Sequence, residues 1–462
     1  MNLHQKMFAE LNDKEIFNQV KEYAFDYADK AMGRNVFPTN EALDNLKVFE
    51  DVLPDNMGNS TKILEQLYNY GSPATISQIG GRYFGLVNGG IIPTALAAKW
   101  LNDFWDQNTP LYVTSPITSK IETIVEGWLK ELFHLPVSTA AGFVSGTSSA
   151  ILCGLAAARF RIYQRLNWDI NAKGLINAPR IRIVAGKHAH GTVLKAVALL
   201  GFGKDNIEWV DVDSQGRIIP DQIPDLDEKT ILILQAGNVN SGSFDYFNEI
   251  CEKANKANAW VHIDGAFGLW VAGSDKLKHL TSGIEKANSW SVDGHKTLNT
   301  PYDCGIVLCK DRDALVSALQ ATGAYIVYGE NRDGMLYTPE MSRRARAIEL
   351  WATLKYLGKQ GINELVNGLH DRAYQFAEEL TKNGFKVLNE VAFNQVLVAC
   401  ENDEETENTL KNIQELRDCW CGGSTWFDQK VIRISVCSWA TTADDITTSV
   451  KSFVKARNMI QK

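Results

Sequence analysis

A chain of 462 residues, 45% hydrophobic and 22% charged, is too long for one simple core and has the make-up of a folded protein of two or three domains. Its net charge of −8 and pI near 5.6 argue against a surface for nucleic acid or anionic membrane. No apolar stretch is long enough to span a bilayer, residues 1–17 are too polar for a secretory signal, and the eight cysteines are scattered, so a cytoplasmic protein with reduced thiols is expected.

The first hundred residues read as mostly helical, broken at Pro38, Pro54 and Gly71-Ser72-Pro73. From about Ala141 the pattern changes. Short apolar runs at 142–145, 181–185, 231–235, 260–263, 289–292 and 305–309 alternate with helical stretches such as 148–165, 192–200 and 246–258. Alternation of this kind predicts right-handed βαβ units and a largely parallel sheet covered on both faces. After Tyr337-Thr338-Pro339 a helical pattern runs through Leu357. Residues 385–388, 395–399 and 431–436 then read as strands of a smaller α+β domain, and Thr441 to Asp445 as the capped start of a last helix. The expected division is an N-terminal helical segment over 1–100, a large domain over 101–355 and a small domain over 356–462.

Chemistry concentrates where the apolar runs end. His295-Lys296 follows the run 289–292, and Asp264-Gly265-Ala266 follows 260–263. A lysine and an acid, each at the end of a buried strand, suit a cofactor with an aldehyde at one end and a basic ring nitrogen at the other. Pyridoxal phosphate is such a cofactor: the amine condenses with the aldehyde, and the carboxylate keeps the pyridine nitrogen protonated. Burial favours the neutral, nucleophilic form of a lysine. Gly146-Thr147-Ser148-Ser149 opens a helix without charges in its first turn, where N–H groups and hydroxyls suit a phosphate dianion or serve as a plain N-cap. The chain has neither a P-loop ending nor a dinucleotide fingerprint. His188 and His190 follow the run 181–185. His190 could stack on the cofactor ring and contact a substrate carboxylate, or merely cap a helix; as a metal pair the two histidines lack a third ligand at recognisable spacing. Asn238-Val239-Asn240 follows 231–235 and reads as a contact to the ring hydroxyl or as a turn.

In this order, Gly146 to Ser149, His188-Ala189-His190, Asp264-Gly265-Ala266 and His295-Lys296 resemble the group II pyridoxal-phosphate-dependent amino acid decarboxylases, which include the aromatic-L-amino-acid, tyrosine and glutamate decarboxylases. The resemblance runs from about Tyr83-Phe84-Gly85 to Trp439 and takes in Tyr302-Asp303-Cys304, Ser342 to Arg346 and Val431 to Val436. It implies fold type I: an N-terminal helical segment, a large seven-stranded cofactor domain and a small C-terminal domain, paired in a homodimer with active sites at the interface. It further implies a Schiff base on Lys296, Asp264 at the ring nitrogen, His190 and Ala266 on the two ring faces, and His295 beside the phosphate. Thr147, Ser148 and Ser149 are then the phosphate cradle, Asn240 the ring-hydroxyl contact and Arg433 the partner of the substrate carboxylate.

The chain departs from that family at two places. The loop at Asn238 to Asn240 lacks the threonines common there. The loop at about 325–338 is shorter than in the aromatic enzymes, so the tyrosine that protonates Cα falls to Tyr337, with Tyr325 and Tyr328 as alternatives. The expected reaction is decarboxylation of an L-amino acid to an amine and carbon dioxide. Its rivals are aldehyde formation or Cα–Cβ cleavage on the same cofactor, and a catalytically silent binding protein that retains the fold.

Overall fold

The computed structural model describes residues 2–320 and 330–460. Its centre is a seven-stranded sheet: β1 (Ala140–Val144), β2 (Arg182–Gly186), β3 (Ile207–Val210), β4 (Thr230–Gln235), β5 (Trp260–Asp264), β6 (Ser289–Asp293) and β7 (Gly305–Cys309), ordered β1-β7-β6-β5-β4-β2-β3. β7 runs antiparallel to both neighbours and the remaining pairs are parallel. Every residue of β1, β5, β6 and β7 is buried, because helices cover both faces. These strands are therefore short runs dominated by apolar and small residues, and that is why they stand out in the sequence. β3 does not. It is a four-residue edge strand whose Glu208 and Trp209 reach solvent, so it carries no such run.

The small domain is an antiparallel sheet ordered β10-β11-β9-β8, from β8 (Lys386–Val387), β9 (Gln395–Ala399), β10 (Gly422–Trp426) and β11 (Gln429–Ser435). β10 is Gly-Gly-Ser-Thr-Trp, a turn-like sequence that becomes a strand only through its pairing with β11. The last helix, Ala443–Asn458, starts one residue later than expected: Thr442 is the N-cap, and its hydroxyl and Asp445 bond each other's backbone N–H.

The expected domain limits both cut helices. Position 100/101 falls inside helix Pro93–Trp105, and 355/356 inside helix Ala347–Lys382. The second limit has a physical counterpart nearby, since Gly358 interrupts that helix at φ 57°. The N-terminal segment is no independent unit. Phe84 N–H donates to Trp420 O at 2.7 Å, Ser435 N–H to Phe84 O at 3.0 Å, and Tyr83 stacks on Trp420 at 5.2 Å. Residues 82–84 thus join the small domain, and the chain then runs on to the carboxyl ends of the large sheet.

The core sets the position of those ends. Trp260, Trp270 and Trp290 are fully buried, and each indole N–H has a partner: Ser289 Oγ, the Asp293 carbonyl and the Ile284 carbonyl. The bond from Trp270 fixes the end of β6, three residues before Lys296.

Candidate active site

A cavity of about 390 Å³ opens at the carboxyl ends of β1, β4, β5 and β6, where open α/β sheets bind ligands. Lys296, Asp264, Ala266, His190, His295, Thr147 and Ser148 all line it. The fold has brought together residues separated by up to 149 positions of chain.

One end is an anion cradle. Helix Thr147–Arg165 begins there, its N-cap Gly146 has no side chain to cap the first turn, and its N-terminus faces the cavity. The approach is tight: a Cβ on Gly305 would lie 2.3 Å from the Gly146 Cα. The Thr147 N–H and hydroxyl donate to Asp293 Oδ1 and Oδ2 at 2.7 and 2.8 Å. Ser148 faces the cavity. Ser149 does not line it, since its N–H donates to the Gly146 carbonyl and its hydroxyl lies 3.3 Å from that of Ser145.

Lys296 lies beside this cradle, with Nζ 3.1 Å from Asp293 Oδ2. The Cys304 N–H donates to His295 Nδ1 at 3.0 Å, which places the ring proton on Nε2, 3.5 Å from Asp293 Oδ2. Burial pushes the His295 pKa down, so the ring is a neutral donor. Tyr302 stacks on it at 4.4 Å and forms part of the wall. The lysine loop is tied down by Asn299. Its amide donates to the carbonyls of Lys296, Thr297 and Cys437, and its oxygen accepts from the N–H groups of Gly90 and Trp439. Gly89 presses against the same loop, where a Cβ would meet the Lys296 carbonyl at 2.2 Å.

At the other end, Asp264 is the last residue of β5 and is buried. Among the described residues its carboxylate accepts one hydrogen bond, from the Ala266 N–H at 3.2 Å. Burial pushes its pKa up, while His190 and Lys296 pull it down. A buried carboxylate with lone pairs open to a cavity gains most from a cationic ligand atom. His190 is both cap and wall. Its Nδ1 accepts from the Thr192 N–H at the start of helix Gly191–Leu199, which leaves the proton on Nε2. Desolvation lowers its pKa, Asp264 opposes that, and Lys296 and Arg433 add to it.

Besides Ser149, other expected positions differ. Asn240 does not line the cavity. Asn238 Oδ1 accepts the N–H groups of Asn240 and Ser241, and this turn sends the Asn240 side chain to Ser424 at 2.8 Å; Gly237, Val239 and Gln235 form the wall instead. Tyr337 is buried in the core under β1. Arg332 lies 4.0 Å from its ring centroid and its hydroxyl bonds Arg312, so it has no place at the cavity. Tyr325 and Tyr328, with Gly323 and Gly329, lie outside the described residues. Arg433 stands behind the wall, its guanidinium making long bonds of 3.4 and 3.3 Å to the carbonyls of Val239 and Leu86 while Nε is buried without a partner among the described residues. Trp420, Trp426 and Trp439 are not in the cavity either. They pack on Tyr83, on His188 and against the Ile91 carbonyl.

Sequence reasoning passed over Asp293, Asn299 and Gly89, and gave Tyr302 no role beyond the resemblance. The one available signal was Asp293, an acid closing an apolar run just before His295-Lys296.

A lysine, a buried carboxylate and an anion cradle at the carboxyl ends of a doubly covered sheet define a fold type I pyridoxal-phosphate enzyme. The model of the pyridoxal-dependent decarboxylase conserved domain matches residues 76–400, and the chain belongs to that family. It is 28% identical over 337 residues to the acidic amino acid decarboxylase GADL1 of Mus musculus, across 68% of this chain and 59% of that protein. The chain thus matches less than two thirds of that relative's length. Its fold is similar to that of Oryza sativa TDC with PLP and tryptamine, with a TM-score of 0.89, 18% identity and 98% of each chain covered. It is also similar to Rhodiola rosea 4-hydroxyphenylacetaldehyde synthase, with a TM-score of 0.86, 19% identity and 100% of each chain covered. The cofactor is pyridoxal phosphate, and the residues present fit it: Lys296 for the aldehyde, Asp264 for the ring nitrogen, and the N-terminus of helix Thr147–Arg165 with Ser148 and His295 for the phosphate.

Proposed function

We propose that this protein decarboxylates an L-amino acid to the amine and carbon dioxide. The observation that carries the reading is the placement of Lys296 and the buried Asp264 in one cavity, with the family membership. The bound cofactor supplies the electron sink into which the bond to the carboxylate breaks. The chain's own groups do the rest. Lys296 would hold the cofactor through its amine and yield that place to the substrate amine. Asp264 holds the ring nitrogen's proton. His190, with its proton on Nε2, and Ala266, by its small size, would flank the cofactor ring from the cavity wall.

Amine and aldehyde products differ in what happens at Cα after carbon dioxide leaves, and the fold does not choose between them. The test is mass-spectrometric product analysis of the purified enzyme with a panel of L-amino acids. An amine from at least one of them is expected; aldehyde or Cα–Cβ cleavage products alone would overturn the reading. Tyr337→Phe is expected to keep wild-type product ratios, because that hydroxyl is spent on Arg312 inside the core. Its effect should be a loss of about 1 kcal/mol in stability. A shift of product toward aldehyde in this variant would return Tyr337 to the proton-donor role.

We further propose that the protein works as a homodimer. Helix Leu3–Asp13 buries none of its residues, and Leu3, Met7, Phe8 and Leu11 on it are exposed, as are Leu101 and Phe104 on helix Pro93–Trp105. Exposed apolar side chains in such number are costly in water unless covered. A second copy is the chosen occupant. Light scattering across a dilution series should report twice the 51.4 kDa chain mass, and Phe8→Glu with Leu11→Glu should shift the population to monomer. A fully active monomer at all concentrations would contradict the proposal.

A further inference from the structure

We propose that Asp293 is a positioning residue that sets how tightly the enzyme holds the phosphate of its cofactor, by placing a negative charge among the donors the phosphate uses. The proposal rests on the cofactor assignment above. Asp293 is 1% exposed and ends β6 at the mouth of the anion cradle. Four donors converge on its carboxylate: the Thr147 N–H at 2.7 Å, the Thr147 hydroxyl at 2.8 Å, Lys296 Nζ at 3.1 Å and His295 Nε2 at 3.5 Å. These belong to the helix N-terminus and the His295-Lys296 loop, the two elements that face a phosphate.

The carboxylate cannot easily leave. The Asp293 N–H donates to the Ala266 carbonyl at 2.9 Å, and its own carbonyl accepts the Trp270 indole N–H at 2.8 Å. Backbone on both sides is thereby fixed, and the side chain keeps its place in the cradle. A phosphate dianion approaching the same donors meets a fixed like charge in a water-poor site. Like charges so placed oppose binding by roughly ten- to a hundredfold. Asparagine has the same shape. It keeps an oxygen to accept the Thr147 N–H, and its amide can donate to a phosphate.

Equilibrium titrations with pyridoxal phosphate and with pyridoxal, which lacks the phosphate, test this on wild type and Asp293→Asn. The variant should bind pyridoxal phosphate at least about tenfold more tightly, while pyridoxal binding stays within about twofold of wild type. Inorganic phosphate alone should raise the melting temperature of the variant more than that of wild type. Equal or weaker pyridoxal phosphate binding in the variant would overturn the proposal and leave Asp293 a plain helix cap. An equal gain for pyridoxal would overturn it too, because the effect would not lie at the phosphate. If the asparagine variant does not fold, Asp293→Ser, also neutral, takes its place in the same comparison. A wild type that binds no pyridoxal phosphate would remove the cofactor assignment itself, and the proposal with it.

Discussion

Lys296→Ala is expected to lose turnover by roughly four to six orders of magnitude, the scale on which deletion of a covalent nucleophile acts. Lys296 Nζ is the primary amine that lines the cavity, and the loop carrying it is held by Asn299 and by the close approach of Gly89. A neighbouring lysine has no such position: Lys187 is exposed and pairs with Asp211 on the surface. Borohydride reduction followed by peptide mapping should place a pyridoxyl group on Lys296 in the wild type and on no lysine in the variant. The cradle at Thr147 and Ser148 does not depend on the amine, so the variant should still hold the cofactor through its phosphate. A wild-type label on another lysine, or substantial turnover in the variant, would overturn the assignment.

Asp264→Asn is expected to lower turnover by roughly 10²–10³-fold, the range for removal of one preorganised electrostatic partner. The substitution keeps size and shape but removes the anion facing the ring nitrogen. Its stability effect should have the opposite sign. Burial raises the Asp264 pKa above its unfolded value, so between the two values the native state binds more protons than the unfolded one. Stability then falls as pH rises across that interval, and the penalty is fully present above the folded value. Asparagine carries no such penalty. Without added cofactor the variant should melt no lower than wild type at pH 7, and its curve should fall less than that of wild type as pH rises through the interval. A variant with near wild-type turnover would remove Asp264 from its role, and one that melts well below wild type would show that its carboxylate is structurally required.

These two residues were legible in the chain because Asp264 ends a buried strand and Lys296 follows the end of another by three residues. Both faces of β5 and β6 are covered, so each strand is buried throughout and carries large apolar residues, and the polar residues at or just past its end stand out. The capped last helix was legible for a local reason: Thr442 and Asp445 satisfy each other's backbone within one turn. Elements whose form depends on distant partners were not. β10 exists through pairing with β11, and the Tyr83 region belongs to the small domain through Trp420, far along the chain.

The same division holds within the site. The sequence by itself pointed to the sheet class and the cofactor through residue type at the ends of buried runs, and to the family through the resemblance of its ordered motifs. Tertiary structure alone decided which way the loop side chains face. Asn238 bonds the N–H groups that follow it, and this turns Asn240 away to Ser424; Arg332 and Arg312 draw Tyr337 into the core. It also placed Asp293 against Thr147, 146 positions earlier in the chain. Residue type states what a side chain can bond, but its direction is set by whichever partners the fold brings within about 3 Å, and those partners are not neighbours in sequence.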